Sequence, residues 1–376
     1  MFCMLATGVI KTSYQYFLKP IFFSFDPEYV HNRIIETGDF LGSNTVSQKL
    51  TQTLLAYENP VLEQNVQGTD FKNPIGLAAG YDYNGYVSKI LKNVGFGFNT
   101  VGTVTARFYE GNPPPRLVRL TKSRSLLVNK GFKSDGAEVV AERLDKKGLE
   151  KVTVGVSIGS SNICEIDTVS KAIDDYMISF NVFKNRDYVK YYEVNVSCPN
   201  TSLNESFSDI NNLDALLGEV VKLKINKPIF IKMPNEASQE RTDEMITTAL
   251  RHGINGFIFS NLVKDRSNPV LNKEEVERVK NFKGGFSGKP TFANSNKLIQ
   301  YTRKKYGKDI TIIGCGGVFN AEEAYTKIRA GADLVQMVTG LIYEGPQVIG
   351  EINQGLVKLL RQDGLGTIGE AVGADL

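Results

Sequence analysis

Eight short runs rich in β-branched and aromatic residues recur between about residue 74 and residue 338, and each is followed by a helical pattern or by a loop leading to one. Strands that alternate with helices in this way pair in parallel, because each crossover helix covers a face of the sheet. The pattern therefore predicts an α/β protein, built as either a closed barrel or an open doubly wound sheet. The runs are NPIGLAAG, FNTVGTV, VTVGVSI, YYEVNVS, PIFIKMP, GFIFSN, ITIIGCG and DLVQMV.

The segments that follow these runs favour the barrel. Polar or glycine-rich residues follow nearly every run, whereas an open sheet binds its ligand in one central crevice. These segments are AAG, GTVT, NVSCPN, KMPNE, SNL, GCGG and VTG. We therefore predict a (β/α)8 TIM barrel over residues 46–376, with its active site at the carboxyl ends of the strands. Residues 1–45 form a predicted N-terminal helical extension, in which DPEYVHNRIIETGDFLG indicates a helix.

The bulk composition excludes several classes of function. The 376 residues are 41% hydrophobic and 23% charged, as in a soluble globular protein. The net charge of +3 is dispersed along the chain, which argues against nucleic-acid binding. Four cysteines without a C-x-x-C pair, and only two histidines, argue against a metal site and favour a reducing cytoplasm. No feature of the sequence predicts an oligomeric state.

The N-terminus, MFCMLATGVIKTSYQYFLKPIFFSF, is apolar and aromatic but lacks the basic start and the cleavage site of a signal peptide. Its uninterrupted apolar stretches are also shorter than the roughly 20 residues that span a bilayer. Two interpretations remain: a helix lying on a membrane surface, or a helix packed on the main domain. The first predicts a cytoplasmic protein held peripherally at the cytoplasmic membrane.

Two late segments are typical of a phosphate site. Gly316 and Gly317 follow the seventh run, and Thr339 and Gly340 follow the eighth. In barrels the exits of the last two strands commonly bind a phosphate through backbone N–H groups. The alternative is that these glycines only make tight turns. Lys232 follows an apolar run, and its charge would suit either a flavin that becomes anionic on reduction or solvent.

The segment NVSCPNT carries the chain's most chemically suggestive cysteine. Cys198 could be a buried packing residue, or a general base, since a thiol ionises closer to neutrality than a hydroxyl. Asn195 and Asn200 flank it, and Asn261 ends another run. Their amides suit a planar polar ligand.

Taken in order, several segments resemble those of dihydroorotate dehydrogenases over nearly the whole chain. They are NPIGLAAGYDYNG, GFGFNTVGTVT, EGNPPPRLVRL, NVSCPNT, GGFSGKP, IIGCGGV and GLIYEGP. The N-terminal FLKPIFFSFDPEYVH, with GTVT and EGNPPPR, resembles the class 2, quinone-dependent, membrane-associated branch. That resemblance implies a (β/α)8 barrel that oxidises dihydroorotate to orotate with FMN, in pyrimidine biosynthesis, and passes electrons to a quinone.

The resemblance also implies roles for individual residues. Cys198 would be the catalytic base, and His31 and Arg119 would lie on the quinone side. Substrate amides would come from Asn129, Asn195, Asn200 and Asn261. FMN contacts would come from Ala78, Ala79, Gly80, Gly102, Thr103, Lys232, Ser260, Ser287, Gly288, Gly316, Gly317 and Thr339.

The sequence departs from the family's pattern around the substrate. Cysteine at 198 is typical of the soluble class 1 enzymes, whereas class 2 members carry serine. Tyr83 stands where the family has a lysine that helps hold substrate and flavin, and Lys130 or Lys133 is a candidate replacement for that charge. Asn129 lies one residue closer to the following Gly-Phe pair than the family's asparagine, so an ungapped alignment would place Val128 there.

Other departures are Leu262 for threonine, Ser157 for a flavin-site asparagine and Val338 for a quinone-side tyrosine. They leave two alternatives: an FMN oxidoreductase acting on another dihydropyrimidine or ene substrate, and a flavin-binding protein without catalysis.

Overall fold

The computed structural model describes residues 2–197 and 207–376, and side chains from Thr7 onward. Eight parallel strands close into a barrel in which each strand pairs with the next along the chain. Pairing of Val335 with Ile75 joins the last strand to the first. The predicted (β/α)8 barrel is confirmed, and every predicted run overlaps one of its strands. These are Ile75–Leu77 (β1), Phe98–Val104 (β2), Val154–Ile158 (β3), Val189–Val194 (β4), Ile229–Met233 (β5), Gly256–Phe259 (β6), Thr311–Cys315 (β7) and Leu334–Met337 (β8).

Helices surround the barrel, and four further α-helices of the described chain precede its first strand in the sequence. The predicted helix in the N-terminal extension is α3, where Asp26 caps the first turn by accepting from the Tyr29 N–H at 2.9 Å. The α-helices are Phe2–Ser13 (α1), Lys19–Ser24 (α2), Pro27–Ser43 (α3), Thr45–Leu55 (α4), Ser88–Val94 (α5), Ala137–Asp145 (α6), Val169–Phe183 (α7), Ile210–Lys222 (α8), Gln239–Arg251 (α9), Lys273–Arg278 (α10), Phe292–Tyr306 (α11), Ala321–Arg329 (α12), Thr339–Glu344 (α13) and Val348–Gln362 (α14).

The barrel interior is a packed core. Strands β2 and β3 are buried along their whole length, because helices cover their outer faces and side chains fill the inside. Phe98, Tyr191 and Phe230 meet edge to face within the barrel, with ring centroids 5.8 to 6.1 Å apart. Phe71 packs against Phe98 at 5.2 Å and comes from the hairpin Gln64–Val66 and Thr69–Phe71, so this hairpin closes the amino-terminal end.

A small antiparallel sheet that the sequence analysis did not predict lies outside the barrel ring. Its strands are Leu117–Leu120, Ser125–Val128 and Gly285–Phe286. Leu117 pairs with Val128, and Phe286 pairs with Leu127. The sheet therefore joins the segment after β2 to the segment after β6.

The N-terminal helices pack against the barrel along one side. The Tyr14 hydroxyl donates to the Ile342 carbonyl at 2.6 Å, and Gln15 Nε2 donates to the Tyr343 carbonyl at 3.1 Å. Phe17 and Ile21 are 66% and 54% exposed. The helical region continues through α4, beyond the predicted boundary at residue 45. Across the described ranges, no helix is both long enough and apolar enough to cross a membrane.

Candidate functional site

A cavity of about 200 Å³ opens at the carboxyl ends of the barrel strands. It lies where the strand–helix segments and the small sheet meet, which is the expected position of a barrel active site. Most of the residues singled out from the sequence line it. They are His31, Ala78, Ala79, Gly80, Thr103, Asn195, Lys232, Ser260, Asn261, Ser287, Gly288, Gly316, Gly317 and Thr339.

A chain of polar side chains crosses four strand ends at one side of this cavity. Asn195 Nδ2 donates to Thr103 Oγ1 at 2.8 Å, and Thr103 Oγ1 lies 3.0 Å from Ser157 Oγ. Asn261 Nδ2 donates to Asn195 Oδ1 at 3.3 Å and to Ser197 Oγ at 3.0 Å. These mutual bonds fix the orientation of both amides, which suits recognition of a planar polar ligand.

The exits of β7 and β8 form a wall with little side-chain bulk. Gly288 and Gly317 have φ angles of +78° and +75°, which favour glycine. A Cβ on Gly288 would lie 2.4 Å from the Arg124 carbonyl oxygen. Ser287 Oγ lies 2.8 Å from Thr339 Oγ1 beside it. Within the described ranges, the N–H groups of Gly288 and Gly317 donate to no protein acceptor. Free amides next to two hydroxyls suit a phosphate.

Backbone after β1 forms a second wall of the cavity, next to the exit of β8, and a buried lysine also lines the cavity. Gly80 N–H donates to the Gly102 carbonyl at 2.7 Å, and Gly102 N–H donates to the Asp82 carbonyl at 3.0 Å. Gly102 supports this wall from behind, whereas a Cβ on Gly80 would meet nothing within 4 Å. Lys232 is 5% exposed and lines the cavity. The two walls together fit a flat ring system that carries a phosphate.

Among the residues implied to bind substrate, Asn129 does not line the cavity. Cys198 and Asn200 lie outside the described residues. Asn129 accepts from Asn112 Nδ2 at 3.0 Å, and its neighbours Val128 and Lys130 line the cavity instead.

Lys130, Tyr83 and His31 form a column along one side of the cavity. Lys130 Nζ lies 4.3 Å from the centre of the Tyr83 ring, and Tyr83 stacks on His31 with ring centroids 5.6 Å apart. Burial is the main reason that the pKa of Lys130 is lowered to about 7. The charge of Glu28 raises this pKa, whereas the charges of Lys133 and Arg116 lower it. Burial also holds the pKa of His31 well below 6.5, so its imidazole is neutral.

A second, apolar cavity of about 380 Å³ lies between the N-terminal helices and the barrel. Its walls include Phe22, Phe23 and Ile34 from the extension. The sequence indicated a quinone side but not these lining residues. The two cavities share His31, Tyr81, Leu117, Leu126 and Ile342, so they meet.

Arg119 lies in the second cavity rather than the first. Its guanidinium donates to the Phe25 carbonyl at 2.7 Å and lies 4.6 Å from the centre of the Phe23 ring. Burial lowers its pKa from the usual value, although it remains a cation. Among the described residues, the apolar cavity is thus lined by one partly buried cation and one neutral imidazole.

The closed barrel has an active-site cavity whose glycine-lined wall at the exits of β7 and β8, the cradle, suits a phosphate. The cavity also holds the bonded side-chain amides of Asn195 and Asn261, the amide cluster, and it adjoins an apolar cavity. These features define the class of barrel oxidoreductases that bind a flavin. The family model described as dihydroorotate dehydrogenase matches residues 61–360. The chain belongs to the dihydroorotate dehydrogenase family, which confirms the resemblance drawn from the sequence, and that family is flavin-dependent.

Individual relatives support the same assignment. The chain is 36% identical to a dihydroorotate dehydrogenase (quinone) of Trichormus variabilis, covering 96% of this chain and 98% of the relative. A Brucella ovis protein of the same name is 35% identical, covering 93% and 92%.

Solved structures agree with the fold. The dihydroorotate dehydrogenase of Eimeria tenella in complex with ferulenol superposes with a TM-score of 0.79, at 28% identity, covering 93% of this chain and 96% of the other. The ligand-free structure of the Eimeria tenella protein superposes with a TM-score of 0.82, at 28% identity, covering 93% of this chain and 99% of the other.

Proposed function

We propose that this protein oxidises dihydroorotate to orotate with FMN, in the pyrimidine branch that leads to UMP, and passes the electrons to a quinone. The observation that carries this proposal is the meeting of two unlike cavities at His31. One has polar amides and an anion cradle, and the other is apolar and lies under the N-terminal helices. A polar substrate and an apolar acceptor could therefore reach one cofactor from different sides.

The cofactor would be held by the backbone walls of the first cavity. Gly288, Gly316, Gly317 and Thr339 would bind the phosphate, and Ala78, Ala79, Gly80 and Thr103 would border the ring system. Gly102 and Ser260 support these walls, since Ser260 N–H donates to the Cys315 carbonyl at 2.9 Å. Lys232 would stabilise negative charge on the ring. When bound, FMN supplies a two-electron acceptor.

The chain's own groups would orient the substrate and remove its proton. Asn195 and Asn261 would hold the ring amides of dihydroorotate, with Asn200 as a further donor. Cys198 would take the proton from C5, acting as a thiolate base. This role is supported by the family match and by Ser197, the preceding residue, which bonds to Asn261 and to the Lys232 carbonyl at 2.7 Å.

The acceptor would enter between the N-terminal helices. Phe17 and Ile21 are exposed on the extension and would insert into the headgroup region of a membrane. A quinone could then pass from the lipid into the apolar cavity, towards His31 and Arg119. In this proposal the protein would lie peripherally on the cytoplasmic membrane, with residues 1–45 as the membrane-contacting extension and 46–376 as the FMN-binding barrel.

The test is anaerobic titration of the FMN-loaded protein with dihydroorotate, followed by flavin absorbance, with Cys198→Ala measured alongside. Rapid bleaching that the variant loses supports the substrate and the base together. Bleaching that persists at the same rate in Cys198→Ala contradicts the base. A flavin that dithionite reduces but dihydroorotate does not would contradict the substrate.

A second candidate function rests on three residues at the cavity wall. Tyr83, Val128 and Leu262 line it where the family has a lysine, an asparagine and a threonine. A less polar dihydropyrimidine or an ene compound would suit these side chains. Titration with dihydrouracil under the same conditions separates the two candidates, because only the second predicts faster bleaching by the uncharged compound.

A further inference from the structure

Lys130 is a buried cation that has no anionic partner among residues 2–197 and 207–376. Its side chain is 9% exposed, its Nζ is fully buried, and no described acceptor bonds to it. It lines the cavity that holds the amide cluster. Burying an unpaired ammonium is costly, so a buried cation at a cavity wall points to an anion supplied from outside the chain.

The neighbouring basic residues are already paired. Arg116 lies 3.4 Å from Glu28 and 3.3 Å from Glu110. Lys133 Nζ lies 3.5 Å from Glu28 Oε1. Glu28 is therefore shared by two other cations, and Lys130 interacts with it only at longer range. Of the two lysines on this loop, Lys130 is the one whose charge is available to a ligand.

The backbone holds Lys130 at the cavity wall. Its carbonyl accepts from the Asn112 N–H at 3.1 Å, while Asn112 Nδ2 donates to the Asn129 side chain. The following Gly131 and Phe132 both have φ of +67°. This turn directs Asn129 towards Asn112 and leaves Lys130 in the cavity, packed on the ring of Tyr83.

We propose that Lys130 binds the carboxylate of the substrate and so serves as a specificity-determining residue for anionic dihydropyrimidines. The inference rests on the proposed function and adds to it the group that distinguishes dihydroorotate from uncharged relatives. The side-chain amides of Asn195 and Asn261 bind the ring of the ligand, and the Lys130 ammonium binds its carboxylate. Tyr83 contributes its ring face, which stabilises the ammonium while no ligand is bound.

The experiment compares Lys130→Met with Lys133→Met as the matched control on the same loop. Binding of orotate and of uracil, which lacks the carboxylate, is measured by the perturbation of the flavin spectrum. We expect Lys130→Met to weaken orotate binding by about tenfold or more and leave uracil binding unchanged, because a charged hydrogen bond is lost. Lys133→Met should not weaken the binding of either compound, because Lys133 is paired with Glu28 and its charge lowers the pKa of Lys130.

Three results would overturn the proposal. The first is equal orotate affinity in Lys130→Met and the wild type, and the second is an equal loss of affinity for orotate and uracil in Lys130→Met. The third is loss of FMN from Lys130→Met at normal thermal stability, which would assign the charge to the cofactor. Lys130→Arg provides a second variant that keeps the charge if the methionine variant does not fold, and we expect it to retain most of the preference for orotate over uracil. If dihydroorotate fails to reduce the wild-type flavin while orotate still binds through Lys130, the proposed function fails and this inference stands.

Discussion

The imidazole of His31 stacks on the ring of Tyr83, with centroids 5.6 Å apart and planes inclined by 20°. His31 comes from the N-terminal helix α3, whereas Tyr83 follows the first barrel strand. Because His31 lines both cavities and Tyr83 lines only the first, this pair marks the boundary between them. The extension therefore contributes directly to the wall of the polar cavity.

Replacing His31 should separate the two half-reactions. The Nε2 atom of His31 has no described hydrogen-bond partner, and the ring is neutral, so it can bond to an acceptor in the apolar cavity. We expect His31→Ala to slow flavin reoxidation by a quinone by about tenfold, which corresponds to roughly one hydrogen bond. Stopped-flow absorbance should show a smaller change in flavin reduction by dihydroorotate.

The second histidine provides the control. His252 lies at the end of α9, where its Nε2 is 2.9 Å from Asp214 Oδ1, and it lines neither cavity. His252→Ala should leave both half-reactions unchanged. Equal slowing of reduction and reoxidation in His31→Ala would argue that His31 only maintains packing.

Adding one methyl group at Gly317 should remove the cofactor. The residue has φ of +75°, and a Cβ would lie 2.4 Å from the Cβ of Phe292. We expect Gly317→Ala to lower the FMN content to a small fraction and the free energy of unfolding by about 1 to 3 kcal/mol. The FMN-to-protein ratio and thermal unfolding measure both effects.

Gly369 offers a matched position for the same substitution. A Cβ there meets nothing within 4 Å, and its φ is not positive. Gly369→Ala should retain full FMN. If Gly317→Ala also retains it, the wall at the end of β7 does not form the cradle.

The barrel could be predicted because its signal is local and repeated. Each strand is a short apolar run followed by polar residues, and burial on both faces makes that pattern strong. The strands Leu117–Leu120 and Ser125–Val128 gave no comparable signal, because LVRL and SLLV are short and partly exposed and lie within one loop. Helix α4 was missed for a similar reason, since its Val46 and Leu50 are 73% and 58% exposed.

The parts of the site formed by backbone at strand ends could be predicted from the sequence. The side chains that the loop around Asn129 presents to the cavity could not. The glycines at the exit of β7, singled out from their spacing, line the cavity, and the phosphate site there stays a prediction. Around Asn129, however, a shift of one residue decides which side chain enters the cavity. The left-handed conformations of Gly131 and Phe132, and the bonds to Asn112, decide that choice, and all of them depend on tertiary contacts.

The exposed face of the N-terminal helices should control membrane binding. Phe17 and Ile21 are 66% and 54% exposed, whereas Tyr14 and Gln15 bond to the barrel. We expect the double variant Phe17→Ser and Ile21→Ser to bind vesicles of phosphatidylcholine and phosphatidylglycerol at least about tenfold more weakly. The expectation follows from the transfer free energy of two large apolar side chains. Sedimentation of the vesicles with bound protein measures the effect.

Two exposed apolar residues on barrel helices serve as the comparison. Val139 and Ile178 are 48% and 47% exposed on α6 and α7. Their double replacement by serine should leave vesicle binding unchanged. Similar losses in both double variants would show that the extension is not the membrane-binding surface.

Orotate affinity should decline as the pH rises through the pKa of Lys130. This pKa is lowered to about 7 chiefly by burial, with Glu28 opposing and Lys133 and Arg116 adding to the decrease. Lys130 is therefore protonated below about pH 7 and neutral above it, whereas His31 is already neutral at pH 6.5. We expect the Kd of orotate to increase above pH 7 by up to about tenfold per pH unit, because a neutral amine must first take up a proton to pair with the carboxylate.

Flavin difference spectra between pH 6 and pH 9 measure this Kd. The same titration in Cys198→Ala excludes a contribution from ionisation of the thiol. The dependence should disappear in Lys130→Met and for uracil in the wild type, and an equal slope in that variant would attribute the titration to another group.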